Sequence, residues 1–474
     1  MLLKRIYEDG LAQASYLLAC EQTGRAIVID PNRDVGRYID AADEEGVDIT
    51  DVTETHIHAD FVSGARELAR RTGAHLMLSG DGGPEWQYRF AAAEGAKLLH
   101  HGNRFDVGTI RFDVRHTPGH TPELQCFLVT DTTMSDRPVG MLTGDFLFVG
   151  DVGRPDLLER AAHVEGTMIA MARELFRSLR ALGDLPDYLQ IWTGHGAGSA
   201  CGKALGMLPS TTLGFERVAN WAFQIDNEDE FVRAVLAGQP EPPTYFARMK
   251  TVNRAGPGPW PEMDSLPEIH VPGVRRALST GVAVIDVRPS VEFAAGHIPG
   301  TLSIPMGDSL ATWAGTLVDD QRDILLLADD AKRLRGAQRL LALIGLDRVV
   351  GWAGETVRHT WEVEVGPLER VHQVAPQAVA SRERTVIDVR RATEWDEGHV
   401  PGARHIYLGD LIEEAKDLPR DLPIALHCQG ATRASIAASL LQQAGFTNVA
   451  NVTGGYRAWT EAGLPVERDS DASS

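Results

Sequence analysis

The chain has 474 residues, 43% of them hydrophobic and 24% charged, ordinary proportions for a folded protein of about three domains at roughly 150 residues each, and this argues against wholesale disorder. Its 46 basic and 66 acidic side chains leave a net charge of −20, which argues against nucleic acid or an anionic membrane as a partner. No apolar run reaches the roughly 18 residues of a bilayer span, and the opening MLLKRIYEDGLAQASYLLAC carries acids but no small-residue cleavage site, so no leader peptide is expected.

Along the first 240 residues, short β-like runs mix with helical stretches. SYLLAC and RAIVID read as adjacent strands, ARELARRTG as an amphipathic helix, and IRFDVRH, LQCFLVT and VGMLTGD as further strands. Some strands follow one another as in hairpins and others are separated by helices, which predicts a layered, mixed α/β body. From 238 to 273 the chain holds eight prolines, at 240, 242, 243, 257, 259, 261, 267 and 272. Proline cannot sit inside helices or central strands, so residues 241–264 read as a surface-packed linker.

The rest is an internal repeat. VIDVRPSVEFAAGHIPGTLSIP at 284–305 matches VIDVRRATEWDEGHVPGARHIY at 386–407, and ILLLADDAKRLRGAQRLLALIGL at 324–346 matches IALHCQGATRASIAASLLQQAGF at 424–446. Offsets of 102 and 100 residues are too long for a solenoid unit and indicate a duplicated domain, over 265–365 and 366–468. Each copy alternates strand, loop and helix, which predicts a parallel sheet covered by helices. The tail 469–474 is expected to be disordered.

Chemistry-bearing residues fall in two groups. The first lies in THIHADFVSG, with His56, His58 and Asp60 alternating after a strand; it continues with His116 in HTPGHTPE, Asp145 in LTGDFLFVGD and His195 in WTGHGAGSACG. Any one of 16 histidines is usually just a satisfied polar residue, but this joint occurrence on glycine-rich turns points to a metal centre. The second is CQGATR at 428–433, between the apolar run LPIALH and a helix. Converging backbone N–H groups and the helix dipole there stabilise a thiolate or a persulfide on Cys428, with Gln429, Gly430, Ala431 and Thr432 forming the loop and Arg433 adding positive charge. The four cysteines, at 20, 126, 201 and 428, form no CxxC pair, so free thiols in a reducing cytoplasm are expected and Cys201 reads as structural.

Residues 1–240 resemble the metallo-β-lactamase fold superfamily, an αββα sandwich, so the expected fold is α/β and α+β multidomain. In the superfamily's two-metal hydrolases the first motif ends HxHxDH; here Phe61 replaces the last histidine, so a second metal bound by Asp60, residue 61 and His195 lacks a ligand. HADFVSGARELA, HTPGHTPE, TGDFLFVGDVGRPDL and HGAGSACGK resemble the persulfide dioxygenase branch. That resemblance implies one Fe(II) per chain held by His56, His116 and Asp145, with His58, Asp60 and His195 around the ligands and Arg154 binding the carboxylate of the thiol carrier. CQGATR, DVRRATEWDEGHVPGA and VTGGYRAW resemble a rhodanese, which implies sulfur transfer through Cys428 with Arg433 in the active loop; Asp388, Arg390, Glu394 and His399 are read as organising that loop. The first copy has Ala328 at the cysteine position, followed by Asp329 and Asp330, and reads as an inactive rhodanese.

The expected function is oxidation of a small-molecule persulfide, such as glutathione persulfide, by O2 to sulfite, coupled to a rhodanese that makes or uses thiosulfate. The alternative is a thioester hydrolase of the glyoxalase II type with appended rhodanese modules. No nucleic acid or membrane partner is expected, and assembly into a homo-oligomer is left open.

Overall fold

The computed structural model describes residues 1–160, 166–203, 205–263, 266–380 and 384–468; the tail expected at 469–474 lies outside them. The chain divides into two compact units, Met1–Pro261 with Ala342–Gly345, and Glu262–Leu341 with Leu346–Ser474. None of the described helices is long and apolar enough to cross a membrane.

The first unit is built on two six-stranded sheets. In one, β1 (Leu2–Glu8), β2 (Gln13–Cys20) and β3 (Arg25–Ile29) pair antiparallel, and β4 (Asp48–Thr53), β5 (His75–Ser79) and β6 (Lys97–Leu99) continue parallel to β3. The other runs β12-β11-β10-β9-β8-β7. It comprises β7 (Arg104–Val107), β8 (Ile110–His116), β9 (Gln125–Asp131), β10 (Gly140–Gly144), β11 (Gln190–Thr193) and β12 (Thr211–Thr212), and only β10 and β11 pair parallel.

Alternation along the strands puts two apolar faces on each sheet. Leu18, Ile27 and Met77 from the first sheet meet Phe112, Phe127, Val129 and Leu142 from the second in one buried cluster, so the sheets stack face to face. The outer face of the first sheet is covered by the helices Gly36–Glu45 and Ala65–Thr72, and that of the second by Met168–Arg180 and Glu228–Leu236. The result is a helix–sheet–sheet–helix sandwich. The loops at one end of the strands are where its buried polar residues collect.

The linker expected at 241–264 is not one. Tyr245 caps the helix Phe246–Ala255, and the chain up to Pro261 belongs to the first unit. The prolines stand at the ends of this helix, at 242, 243, 257, 259 and 261, and leave its interior free to form hydrogen bonds.

The second unit holds both repeats. The first repeat has a four-stranded sheet, β14-β13-β15-β16, and the second a five-stranded one, β17-β21-β20-β18-β19. The strands are β13 (Ala283–Asp286), β14 (Leu302–Ser303), β15 (Ile324–Leu327) and β16 (Val349–Ala353), then β17 (His372–Val374), β18 (Thr385–Asp388), β19 (Arg404–His405), β20 (Ile424–His427) and β21 (Val449–Val452). Every pairing is parallel, and β14-β13-β15-β16 superposes in order on β19-β18-β20-β21. The expected duplication is thus present in topology as well as in sequence.

Candidate metal centre and cysteine loop

Beyond Thr53 at the end of β4, the backbone turns through a buried loop that carries His56, His58 and Asp60. Asp30, one residue past β3, organises the start of this loop. Its carboxylate accepts from Thr55 N at 2.6 Å, Thr55 Oγ1 at 2.9 Å and His58 Nε2 at 3.1 Å. With the Thr55 hydroxyl proton committed to Asp30, the hydroxyl oxygen accepts from His56 Nδ1 at 2.9 Å, which leaves the His56 Nε2 lone pair free. Burial would lower the His58 pKa, but the neighbouring Asp30 carboxylate outweighs it and raises the pKa to about 9. Sequence alone does not single out Asp30; its only signal is an aspartate directly after the apolar run RAIVI.

The expectation that His116 is a ligand does not hold. His116 is still the last residue of β8, paired in register with Gln125, and its Nε2–H donates to Pro122 O at 2.7 Å. The histidine that joins His56 and Asp145 is His120, four residues on, in the turn beyond the strand. Its Nδ1–H donates to Arg154 O at 3.0 Å, and its Nε2 stands 3.5 Å from Asp145 Oδ2. His56 Nε2 is 3.9 Å from the same oxygen. Ligand atoms of His56, His120 and Asp145, all buried, lie within 4.8 Å of one another.

The close packing around Asp145 depends on glycine. A Cβ at Gly153 would lie 1.8 Å from Asp145 O, and one at Gly144, where φ is +49°, would lie 2.3 Å from Thr55 Oγ1.

This cluster fits a cation. Burial and the surrounding histidines hold the His56 pKa well below its ordinary value, and burial lowers that of His120, so both rings are neutral donors. Both Asp145 carboxylate oxygens are buried without a hydrogen-bond partner, as are Asp60 Oδ2 and His195 Nε2. A set of buried lone pairs facing one another is costly unless a metal lies among them.

His195 donates Nδ1–H to Ala12 O at 3.0 Å and turns Nε2 toward Asp60 Oδ2 at 3.3 Å and Asp145 Oδ1 at 3.4 Å. Cys201 joins Asp60 and His195 in a second buried group with donor atoms within 4.8 Å of one another. Phe61 instead packs its buried ring on His58, with centroids 4.4 Å apart. The loop that sequence leaves one ligand short therefore has Cys201 close to Asp60 and His195.

Arg154 is not placed to bind substrate. It is fully buried, and Asp156 chelates its guanidinium, with Nε–Oδ1 and Nη2–Oδ2 both at 2.8 Å, while Nη1 donates to Ala200 O at 3.1 Å. The residue ties the His120 turn to the Cys201 loop.

In the second repeat, Cys428 directly follows β20 and is buried. Residues Gln429, Gly430 and Ala431 lead into the helix Thr432–Gln443, whose first turn has no side-chain cap. The loop is held from behind: Tyr456 N donates to Cys428 O at 2.7 Å and Arg457 N to Gln429 O at 3.1 Å. Gly455, at φ +62°, makes this possible, since a Cβ there would lie 2.3 Å from Cys428 O. Arg433 reaches back to Glu394, with Nη2–Oε1 at 2.7 Å. Asp388 and Arg390 form a buried pair, Arg390 Nη2 also donates to Gly398 O at 2.8 Å, and its guanidinium lies over the Tyr456 ring at 3.9 Å. His399 stacks on Trp395 with ring centroids 3.6 Å apart.

The first repeat keeps this frame in Asp286, Arg288 and Gly296 O. Its loop differs: Ala328 follows β15, Arg333 pairs with Asp329, and Arg333 N donates to Asp330 Oδ1 at 2.8 Å. A fixed carboxylate occupies the helix end that is left open in the second repeat.

Two family models match different parts of the chain. The metallo-beta-lactamase superfamily matches residues 9–195, and the rhodanese-like domain matches 273–354 and 373–462. A solved structure described as a metallo-beta-lactamase from Staphylococcus aureus is 39% identical with a TM-score of 0.68, covering 74% of this chain and 98% of that one. The solved ETHE1 of Myxococcus xanthus is 25% identical with a TM-score of 0.44, covering 54% of this chain and 99% of that one. A mouse hydroxyacylglutathione hydrolase-like protein is 30% identical over 181 residues, 38% of this chain and 56% of its own length. This chain spans 62% of the length of a Bacillus subtilis protein, and of two other curated relatives it spans 45% and 96%.

Proposed function

Since the chain belongs to the metallo-β-lactamase superfamily and carries two rhodanese-like domains, we propose that it is a persulfide dioxygenase joined to a sulfurtransferase. The overall reaction in the first unit is RSSH + O2 + H2O → RSH + SO3²⁻ + 2H⁺, with a low-molecular-weight persulfide such as glutathione persulfide as substrate. The observation that carries this reading is the buried group of two neutral histidines and one carboxylate, His56, His120 and Asp145. These three would hold one Fe(II). Ferrous iron bound there would supply redox chemistry toward O2 and the persulfide.

The chain's own residues set the conditions for that chemistry. Thr55 and the Arg154 carbonyl fix the His56 and His120 tautomers, so that Nε2 of each is the donor. His58 is tied through Nε2 to Asp30, which also holds Thr55, so the start of the loop is fixed at both residues. Asp60 and His195 lie next to Asp145 and are placed to hold a water or a substrate proton.

In the second unit, the Cys428 thiolate attacks the outer sulfur of thiosulfate, giving a cysteine persulfide and releasing sulfite; in reverse, sulfite takes sulfur from that persulfide to form thiosulfate. The uncapped first turn of the helix Thr432–Gln443 and the Arg433–Glu394 pair surround the cysteine in either direction. The first repeat, with Ala328 at the corresponding place, takes no part in sulfur transfer.

A second reading is a thioester hydrolase with two metals. It is favoured by the second donor group, Asp60, His195 and Cys201, and by the likeness to a hydroxyacylglutathione hydrolase-like protein. Metal content and turnover separate the two. One iron per chain with O2 uptake on glutathione persulfide supports the dioxygenase. Two zinc ions with rapid thioester hydrolysis and no O2 uptake would replace it by the hydrolase.

A further inference from the structure

We infer that Tyr245 and Asn253, at the two ends of the helix Phe246–Ala255, are positioning residues for the metal-bearing loop; the inference rests on the reading of His56, His120 and Asp145 as a metal centre. The loop from His56 to Ser63 is irregular and buried, so its carbonyls and amides need partners that no sheet supplies. Asn253 provides three of them. Its Nδ2 donates to His58 O at 2.8 Å and to Phe61 O at 2.7 Å, and its Oδ1 accepts from Ser63 N at 2.9 Å. Tyr245 Oη donates to Asp60 O at 3.0 Å. Both side chains are at least nine-tenths buried, with exposures of 1% and 5%.

These bonds bridge 185 to 195 residues of sequence. They bracket Asp60, the residue whose carboxylate faces His195. Asp30 fixes the other end of the loop through Thr55. The two anchors thus hold the start and the end of the segment that carries His56, His58 and Asp60.

The segment carrying the clamp is itself docked. Arg89 N donates to Arg254 O at 2.8 Å, Arg33 Nη2 donates to Pro259 O at 2.8 Å, and Lys250 Nζ lies 3.4 Å from the Trp86 ring centroid. A side chain serving only the stability of its own helix would not spend both its donors and an acceptor position on a distant turn. Groups that orient the surroundings of metal ligands govern how tightly and in what geometry a metal is held.

The test uses the full-length protein stripped of metal and titrated with Co²⁺ against a competing chelator. In Asn253→Asp, a carboxylate can still accept from Ser63 N but cannot donate to the two carbonyls. Its Co²⁺ affinity is expected to fall about 10- to 100-fold, with a shifted Co²⁺ d–d spectrum. Tyr245→Phe, which loses one hydroxyl and keeps the ring, is expected to shift the spectrum in the same direction with a smaller loss; it carries the test alone if Asn253→Asp does not fold. Thr251→Ala serves as control, because Thr251 bonds only within the same helix, to Ala247 O. A folded Asn253→Asp or Tyr245→Phe with the parent's affinity and spectrum overturns the inference, as does an affinity loss equal to that of Thr251→Ala. If the parent itself binds no Co²⁺, the metal-centre reading fails instead, a distinct result.

Discussion

His116 and His120 stand four residues apart, one at the end of β8 and the other in the turn beyond it, yet only His120 has a free Nε2 aimed at Asp145. His120→Ala is therefore expected to abolish iron binding and O2 uptake together. His116→Ala removes a hydrogen bond to Pro122 O and should keep the parent's iron content, as metal analysis of both variants would show. His427 is a second residue whose surroundings decide its behaviour. It lies directly before Cys428, buried, with neither ring nitrogen hydrogen-bonded, and burial lowers its pKa to about 4. The unfolded chain binds a proton near pH 6.5 and the folded one does not, so stability is lost as pH falls from about 6.5 toward 4. By pH 5 this single residue costs about 2 kcal/mol relative to pH 7. His427→Leu, which copies Leu327 of the first repeat, should lose thermal stability less steeply than the parent between pH 7 and pH 5. Parallel losses would show that His427 does not carry this dependence.

Helix ends account for the contrast between the two repeats. The helix Thr432–Gln443 begins without a side-chain cap beside Cys428, whereas Asp330 caps the helix Ala331–Leu343 at the matching place. Ala328→Cys in a Cys428→Ser background should stay more than about 100-fold below the parent in thiosulfate sulfurtransferase activity, because the carboxylates disfavour a thiolate there. Adding Asp329→Gln and Asp330→Gly should raise the rate, and full activity from Ala328→Cys alone would contradict this account. The duplication and the parallel sheets are legible in the sequence because apolar runs and the GHIPG and GHVPG turns repeat at a fixed offset. The helix Phe246–Ala255 is not, since the flanking prolines dominate the composition while their positions outside the helix carry the information. The choice of His120 over His116 is likewise hidden, because both histidines sit beside proline and glycine and only the end of β8 separates strand from turn. Asp30, Tyr245 and Asn253 act on a loop distant in sequence, which no local pattern records.

Across the whole molecule, the first unit offers a two-histidine, one-carboxylate centre and the second an intact cysteine loop next to a repeat without the nucleophile. Within the second unit, the first repeat packs on the helix that starts at the cysteine loop: Ser303 N donates to Ser439 Oγ at 3.0 Å, the Ser303 and Ser435 hydroxyls are 3.0 Å apart, and Gln443 Nε2 donates to Gly300 O at 2.9 Å. These contacts tie the first repeat to the helix Thr432–Gln443. Under the proposed function the two units perform separable steps, persulfide oxidation and sulfur transfer. The most direct test supplies glutathione persulfide and O2 to iron-loaded Cys428→Ser and measures sulfite, thiosulfate and O2 in the same vessel. O2 uptake is expected at the parent rate, matched mole for mole by sulfite with little enzymatic thiosulfate. Thiosulfate forming at the parent rate, or O2 uptake collapsing despite full iron content, would contradict it.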